Sequence, residues 1–202
     1  MRRIKKRENM KKLLITGFMP FGGDDINPSW EAVLRLPDSI HGYELTKLLV
    51  PVEFKTAPDL VIDEAEKISP DAVLCIGQAA GRDAVTPELV GINLRYAKIP
   101  DNAGKEPKDE KICEGGADAL FSTIPVRKIA EAIEAAGIPS SVSYSAGAYV
   151  CNDLLYSLLS HFEKSAVRVG FIHVPRCPEQ GKSPSMEISD MVKAICIAIE
   201  NL

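Results

Sequence analysis

Short apolar runs alternate with amphipathic stretches along almost the whole chain, and this alternation most constrains the fold. Residues 12–16, 45–51, 72–76 and 167–173 read as strands. Between them, 28–34 (with Ser29 as cap), 57–68, 127–136 (closed by Gly137) and 185–200 read as helices. A further helix follows Cys151, where Leu154, Leu155, Leu158, Leu159 and Phe162 fall at helical spacing. Residues 89–94 and the stretch around Val142 read as additional strands. Residues 98–117, punctuated by Pro100, Gly104, Pro107, Gly115 and Gly116, read as a long polar surface loop. Strand and helix in turn predict a single-domain α/β/α sandwich with a largely parallel central sheet. Ligands of such sheets collect at the carboxyl ends of the strands. Phe18, Gln78 and His173 each sit at or just past a strand end, so they are expected to share one rim.

The chain has 202 residues, 46% of them hydrophobic, enough to bury a sizeable core. No apolar run is long enough to cross a membrane. Residues 1–9 carry five basic side chains and one acidic one, and read as a flexible basic extension ahead of a catalytic domain over 10–202. Without them, the formal charge of −4 becomes about −8, with 19 basic side chains against 27 acidic ones. A body of that sign repels nucleic acid and anionic membrane. The five cysteines are an odd number with no secretory leader pattern, which points to a reducing cytoplasm. Cys75 and Cys196 lie in apolar segments and read as core. Cys113 and Cys177 lie in polar loops, and neither opens a helix.

Cys151 differs from these four. It ends the run Ser145-Ala-Gly-Ala-Tyr-Val-Cys151 and stands where a helix begins. The positive end of the helix dipole favours thiolate there, so the sulfur reads as a nucleophile. His173, at the end of an apolar strand, is the candidate base. No H-E-x-x-H, C-x-x-C or calcium-loop pattern occurs, so neither a metal nor another cofactor is expected. Gly17 to Gly23 matches only the first half of a phosphate loop, and Gly23-Asp24 then stands where Lys-Ser/Thr is needed. Phe18 and Phe21 read either as core residues of a turn or as an aromatic pair at a pocket mouth. Glu88, on the residues alone, reads as a solvated carboxylate.

Taken together, the segments resemble the pyroglutamyl peptidase I family. The matching pieces are Thr16-Gly-Phe-Met-Pro-Phe-Gly-Gly23, Asn27-Pro-Ser-Trp30, Gly77-Gln-Ala-Ala-Gly-Arg82, Thr86-Pro-Glu88, Ile99-Pro-Asp-Asn102, Tyr149-Val-Cys-Asn152 and Gly170-Phe-Ile-His-Val-Pro175 with Pro178-Glu-Gln180. They run in family order over roughly 12–200. The resemblance implies a cytosolic, metal-independent cysteine exopeptidase that removes an N-terminal pyroglutamyl residue through a thioester. It implies a triad of Cys151, His173 and Glu88. It places Phe18 and Phe21 against the lactam ring, with Gln78, Ile99, Tyr149 and Val150 around the pocket. Homo-oligomers, dimers or tetramers, are common in the family.

The chain departs from the family at Lys98, where an arginine thought to help form the oxyanion hole is usual, and at Leu89, where another arginine is common. Lys98 is expected at the site rim, as a point charge without the planar fork of arginine. Two other readings use the same sandwich: a phosphate-dependent, nucleoside phosphorylase-like enzyme, and a non-catalytic protein that binds pyroglutamyl peptides.

Overall fold

A computed structural model describes residues 10–202; the basic extension read at residues 1–9 lies outside the described residues. The elements in chain order are β1 (Lys11–Phe18), α1 (Pro28–Leu34), β2 (Ser39–Ile40), β3 (Tyr43–Val50), α2 (Thr56–Ile68), β4 (Ala72–Gln78), β5 (Thr86–Pro87), β6 (Val90–Ile92), β7 (Ala119–Phe121), α3 (Val126–Ala135), α4 (Val150–His161), β8 (Arg168–Val174) and α5 (Ile188–Glu200). A six-stranded sheet runs in the order β2-β3-β1-β4-β8-β5. Its four inner strands are parallel, and the two short edge strands pair antiparallel to their neighbours.

The inner strands are apolar on both faces because helices cover both faces. Leu13, Ile15, Leu74, Ile76, Ile172 and Val174 point into one core with α1, α3 and α5. Leu14, Val73, Cys75, Val169 and Phe171 point into the other, with α2 and α4. Successive strand residues therefore serve opposite layers, as the period-2 geometry requires. The architecture is the expected α/β/α sandwich.

Local differences from the sequence reading have physical causes. Helix α1 is capped by Asn27, whose side chain accepts from Ser29 N; Ser29 is buried within the first turn. Residues 90–92 do not join the main sheet but pair antiparallel with β7 in a separate two-stranded sheet. The stretch around Val142 makes only isolated bridges, Val85 to Ser140 and Glu88 to Ser143, and builds no ladder. Cys177 is fully buried and opens a 3₁₀ turn over Pro178–Gln180, whereas Cys196 is only partly covered. No described helix is long and apolar enough to cross a membrane.

Candidate active site

Parallel strands β4 and β8 meet in a register that puts Gly77 beside His173 and Gln78 beside Val174. The edge strand β5 then pairs Thr86 with His173, which carries the following Glu88 alongside the imidazole. Glu88 Oε1 stands 2.7 Å from His173 Nδ1. Both side chains are almost completely buried. The carboxylate read as solvated is thus fully buried. Sequence gives no signal for that, because β5 is two residues long and is placed only by tertiary pairing.

Helix α4 delivers the third group. Cys151 is its second residue, and two polar neighbours fasten this end of the helix. Asn152 Oδ1 accepts from Ile92 N, and its Nδ2 donates to the carbonyls of Ile92 and Leu94. Asp153 accepts from Lys55 N and from Arg95 Nε, the latter at 2.8 Å in a buried ion pair. The sulfur of Cys151 lies over the backbone of Gly77: a Cβ at residue 77 would sit 3.2 Å from it and 2.7 Å from the Phe171 ring. Glycine is required there by close approach, not by backbone angle. Cys151 and His173 line one cavity of about 290 Å³ with Phe18, Phe21, Gln78, Arg82, Ala146 and Tyr149. A larger, open depression of about 1000 Å³ lies between α2 and the 109–114 loop, and neither Cys151 nor His173 reaches it.

Arg82 ties these parts together. Its guanidinium donates to Thr86 Oγ1 at 2.5 Å, to Glu88 Oε1 at 2.7 Å and to Ser145 O at 3.2 Å. One carboxylate oxygen therefore serves two donors, while Glu88 Oε2 is buried without a hydrogen bond. The Ser143 hydroxyl beside it donates instead to Ser145 O. Sequence reasoning quoted Arg82 only as part of a motif. Its role was hidden because the partners lie four, six and sixty-three residues away.

The protonation states follow from burial and these partners. Burial alone would push Glu88 up; the bond and charge of His173, with the bond from Arg82, outweigh it and hold the carboxyl below its usual range. His173 is pushed below the usual imidazole value by burial, against the opposing pull of Glu88, and the Arg82 charge adds to the depression. Glu88 is then ionised and accepts, so Nδ1 carries the imidazole proton and Nε2 is left as the basic nitrogen. Burial pushes the Cys151 thiol up to about 12, reinforced by the charges of Glu88 and Cys75 and opposed by Arg82 and the thiol's own backbone N–H. The residue keeps partial exposure because the cavity opens onto it, but the sulfur itself is packed on Gly77. This desolvation opposes the helix-dipole effect, which is worth about 0.3–1 kcal/mol at an ordinary helix end and favours thiolate. Both shifts favour the uncharged forms, a thiol beside a neutral imidazole.

The remaining expected residues divide. Phe18 is both things at once, 2% exposed in the core and a wall of the cavity. Tyr149 lies edge-on to Phe54, with ring centroids 5.2 Å apart, and donates its hydroxyl to Pro100 O. Val150 is buried in the core cluster behind the cavity and does not line it. Lys98 and Ile99 are exposed and line a neighbouring groove that shares only Phe21 and Tyr149 with the cavity. Lys98 therefore lies in a groove adjoining the cavity rather than in its lining. Among the described residues, no group of His, Cys, Asp and Glu side chains could hold a metal ion.

Residues 11–202 match the family model described as pyroglutamyl peptidase. The chain belongs to the pyroglutamyl peptidase family. A pyrrolidone-carboxylate peptidase of Lactobacillus helveticus is 46% identical over 194 residues, covering 94% of this chain and 97% of its own. One from Vibrio parahaemolyticus is 49% identical, covering 92% and 89%. The crystal structure of pyroglutamyl peptidase I from Bacillus amyloliquefaciens superposes with a TM-score of 0.90 at 42% identity, covering 95% of this chain and 96% of that one. The chain is an enzyme of this cysteine peptidase family, with the fold of its solved members.

Proposed function

We propose that this pyroglutamyl peptidase family member hydrolyses the bond after an N-terminal pyroglutamyl residue through a thioester on Cys151. The observation that carries the reading is the make-up of one cavity. It holds a cysteine at a helix start and an imidazole bound to a buried carboxylate at 2.7 Å, and among the described residues no acidic side chain lines it. A free α-ammonium would find no counter-ion there and would meet the Arg82 cation. A neutral lactam finds aromatic walls in Phe18, Phe21 and Tyr149, with Gln78 to hydrogen-bond it.

As the scissile carbonyl docks, His173 Nε2 takes the Cys151 proton and sulfur attacks the carbonyl carbon. The α4 N-terminus, including the Cys151 N–H, receives the oxyanion. His173 returns the proton to the leaving amine, the C–N bond breaks and a thioester remains. Water, deprotonated by the same nitrogen, then releases pyroglutamate and restores the thiol. Glu88 orients the imidazole and stabilises its cation. The thiol is ionised only during reaction, so proton transfer belongs to the acylation step.

We place the enzyme in a reducing cytoplasm, in keeping with five free cysteines, acting on pyroglutamyl peptides as a homo-oligomer, without nucleic acid or membrane. Hydrolysis of a chromogenic pyroglutamyl amide, run beside prolyl and glutaminyl amides, tests the reading. Cleavage of the pyroglutamyl amide alone, abolished by iodoacetamide, is expected. Absence of that cleavage overturns the reading.

A further inference from the structure

Gln78 is the one uncharged amide that ends a strand inside the cavity, and an amide can offer either a donor or an acceptor. Which one it offers is decided outside the cavity, by a chain of groups that leaves no freedom. The Cys177 backbone N–H, which can only donate, reaches Gln180 Oε1 at 3.1 Å. That contact fixes the Gln180 amide, whose Nε2 then donates to Asp24 Oδ2 at 3.0 Å and to Gln78 Oε1 at 3.2 Å. Asp24 is held in turn by Lys182 Nζ at 2.5 Å. With its oxygen occupied by Gln180, Gln78 has only its NH₂ to turn toward a bound molecule.

From this we infer that Gln180 is a specificity-setting positioning residue, which fixes the polarity of Gln78 so that the cavity donates a hydrogen bond to a carbonyl oxygen on the bound ring. The inference rests on the lactam reading of the cavity and explains how a five-membered ring with a carbonyl is told from one without. A proline ring has nothing to accept this bond, and a site built to bond a missing group rejects the analogue that lacks it. Gln180 touches no part of the substrate. It acts through Gln78, from a 3₁₀ turn held against the Asp24 loop.

The test measures KM and kcat for a pyroglutamyl amide, and the inhibition constant of 2-pyrrolidinone as the bare ring. Gln180→Met keeps side-chain length but frees Gln78 to turn. KM and the inhibition constant should rise about tenfold, the weight of one net hydrogen bond, with kcat within about twofold. In a Gln78→Met background the same change should add nothing, because there is no amide left to orient. If Gln180→Met does not fold, the paired change Asp24→Asn with Gln180→Glu replaces it. That swap keeps the local charge and leaves each buried polar group a partner. The new carboxylate accepts from Cys177 N–H, from Asn at position 24 and from the Gln78 NH₂, which turns the Gln78 oxygen into the cavity. Binding of both probes should then weaken by tenfold or more while the circular dichroism spectrum is kept. Unchanged constants in the swap, or effects of Gln180→Met that multiply with those of Gln78→Met, overturn the relay. Failure of the parent enzyme to cleave the pyroglutamyl amide at all refutes instead the reading on which it rests.

Discussion

Replacing Glu88 with glutamine separates charge from geometry at this site. Oε1 already accepts from Arg82 and lies 2.7 Å from each of its two partners. Arginine can only donate, so the glutamine oxygen must take that place and still accept the His173 Nδ1–H. The glutamine NH₂ falls where Oε2 now stands without a partner, beside the Ser143 hydroxyl. The imidazole tautomer is therefore preserved, and the loss is that of a negative charge facing an imidazolium. Two unit charges about 4 Å apart at an effective dielectric constant near 20 interact by about 4 kcal/mol. Arg82 already offsets part of the carboxylate charge, which leaves roughly 2–4 kcal/mol. At 1.36 kcal/mol per decade, kcat should fall by about 30- to 1000-fold, with KM little changed. The acid limb of the kcat/KM profile should also move to lower pH, because the group that raises the His173 affinity for protons is gone. Hydrolysis of a chromogenic pyroglutamyl amide between pH 4 and 9 measures both quantities. A kcat within threefold of the parent, or an acid limb that moves upward, would refute the reasoning.

Arg82→Met should shift that same acid limb the other way, to higher pH, since the Arg82 cation lowers the His173 affinity for protons; a pH–rate profile decides between them. Gly77→Ala should lower kcat at least tenfold and the melting midpoint by about 2–12 °C, because the new Cβ meets the Phe171 ring, whose centroid lies 4.7 Å from that of His173. Cys151→Ala should abolish turnover while leaving the circular dichroism spectrum intact. The rate of iodoacetamide labelling at Cys151 should climb about tenfold per pH unit between pH 7 and 10, as expected below a thiol value of about 12. A labelling plateau reached below pH 9 would contradict the neutral resting thiol.

The layers of the fold were legible because strands buried on both faces must be continuously apolar, as Leu13 to Ile15 and Ala72 to Ile76 are. The pairing of β6 with β7 was not: residues 89–94 read as a strand, but three-residue β7, far along the chain, carries too little periodicity to separate from loop. Cys151 and His173 could be found from residue type and position, because a helix start and a strand end are local properties. The surroundings that decide their chemistry could not. Burial of Glu88 depends on Thr86 pairing with His173, far along the chain. The rise of the Cys151 thiol depends on packing over Gly77, and a dipole argument made from sequence alone has no access to that desolvation. Lys98 was placed at the rim by its motif, and it lies in a groove that adjoins the cavity through Phe21 and Tyr149.

The buried, protonated sulfur has a consequence for the working lifetime of the enzyme. Peroxides and related oxidants attack the thiolate, and the first oxidation product of an exposed thiolate proceeds readily to forms that no thiol can rescue. A peptidase that keeps a standing thiolate is open to this damage between turnovers. On the proposed mechanism the sulfur gives up its proton only when a peptide fills the cavity, and the same peptide then bars the oxidant's way. Durability under oxidative stress should therefore track occupancy: starved enzyme is protected by its proton, and busy enzyme by its substrate.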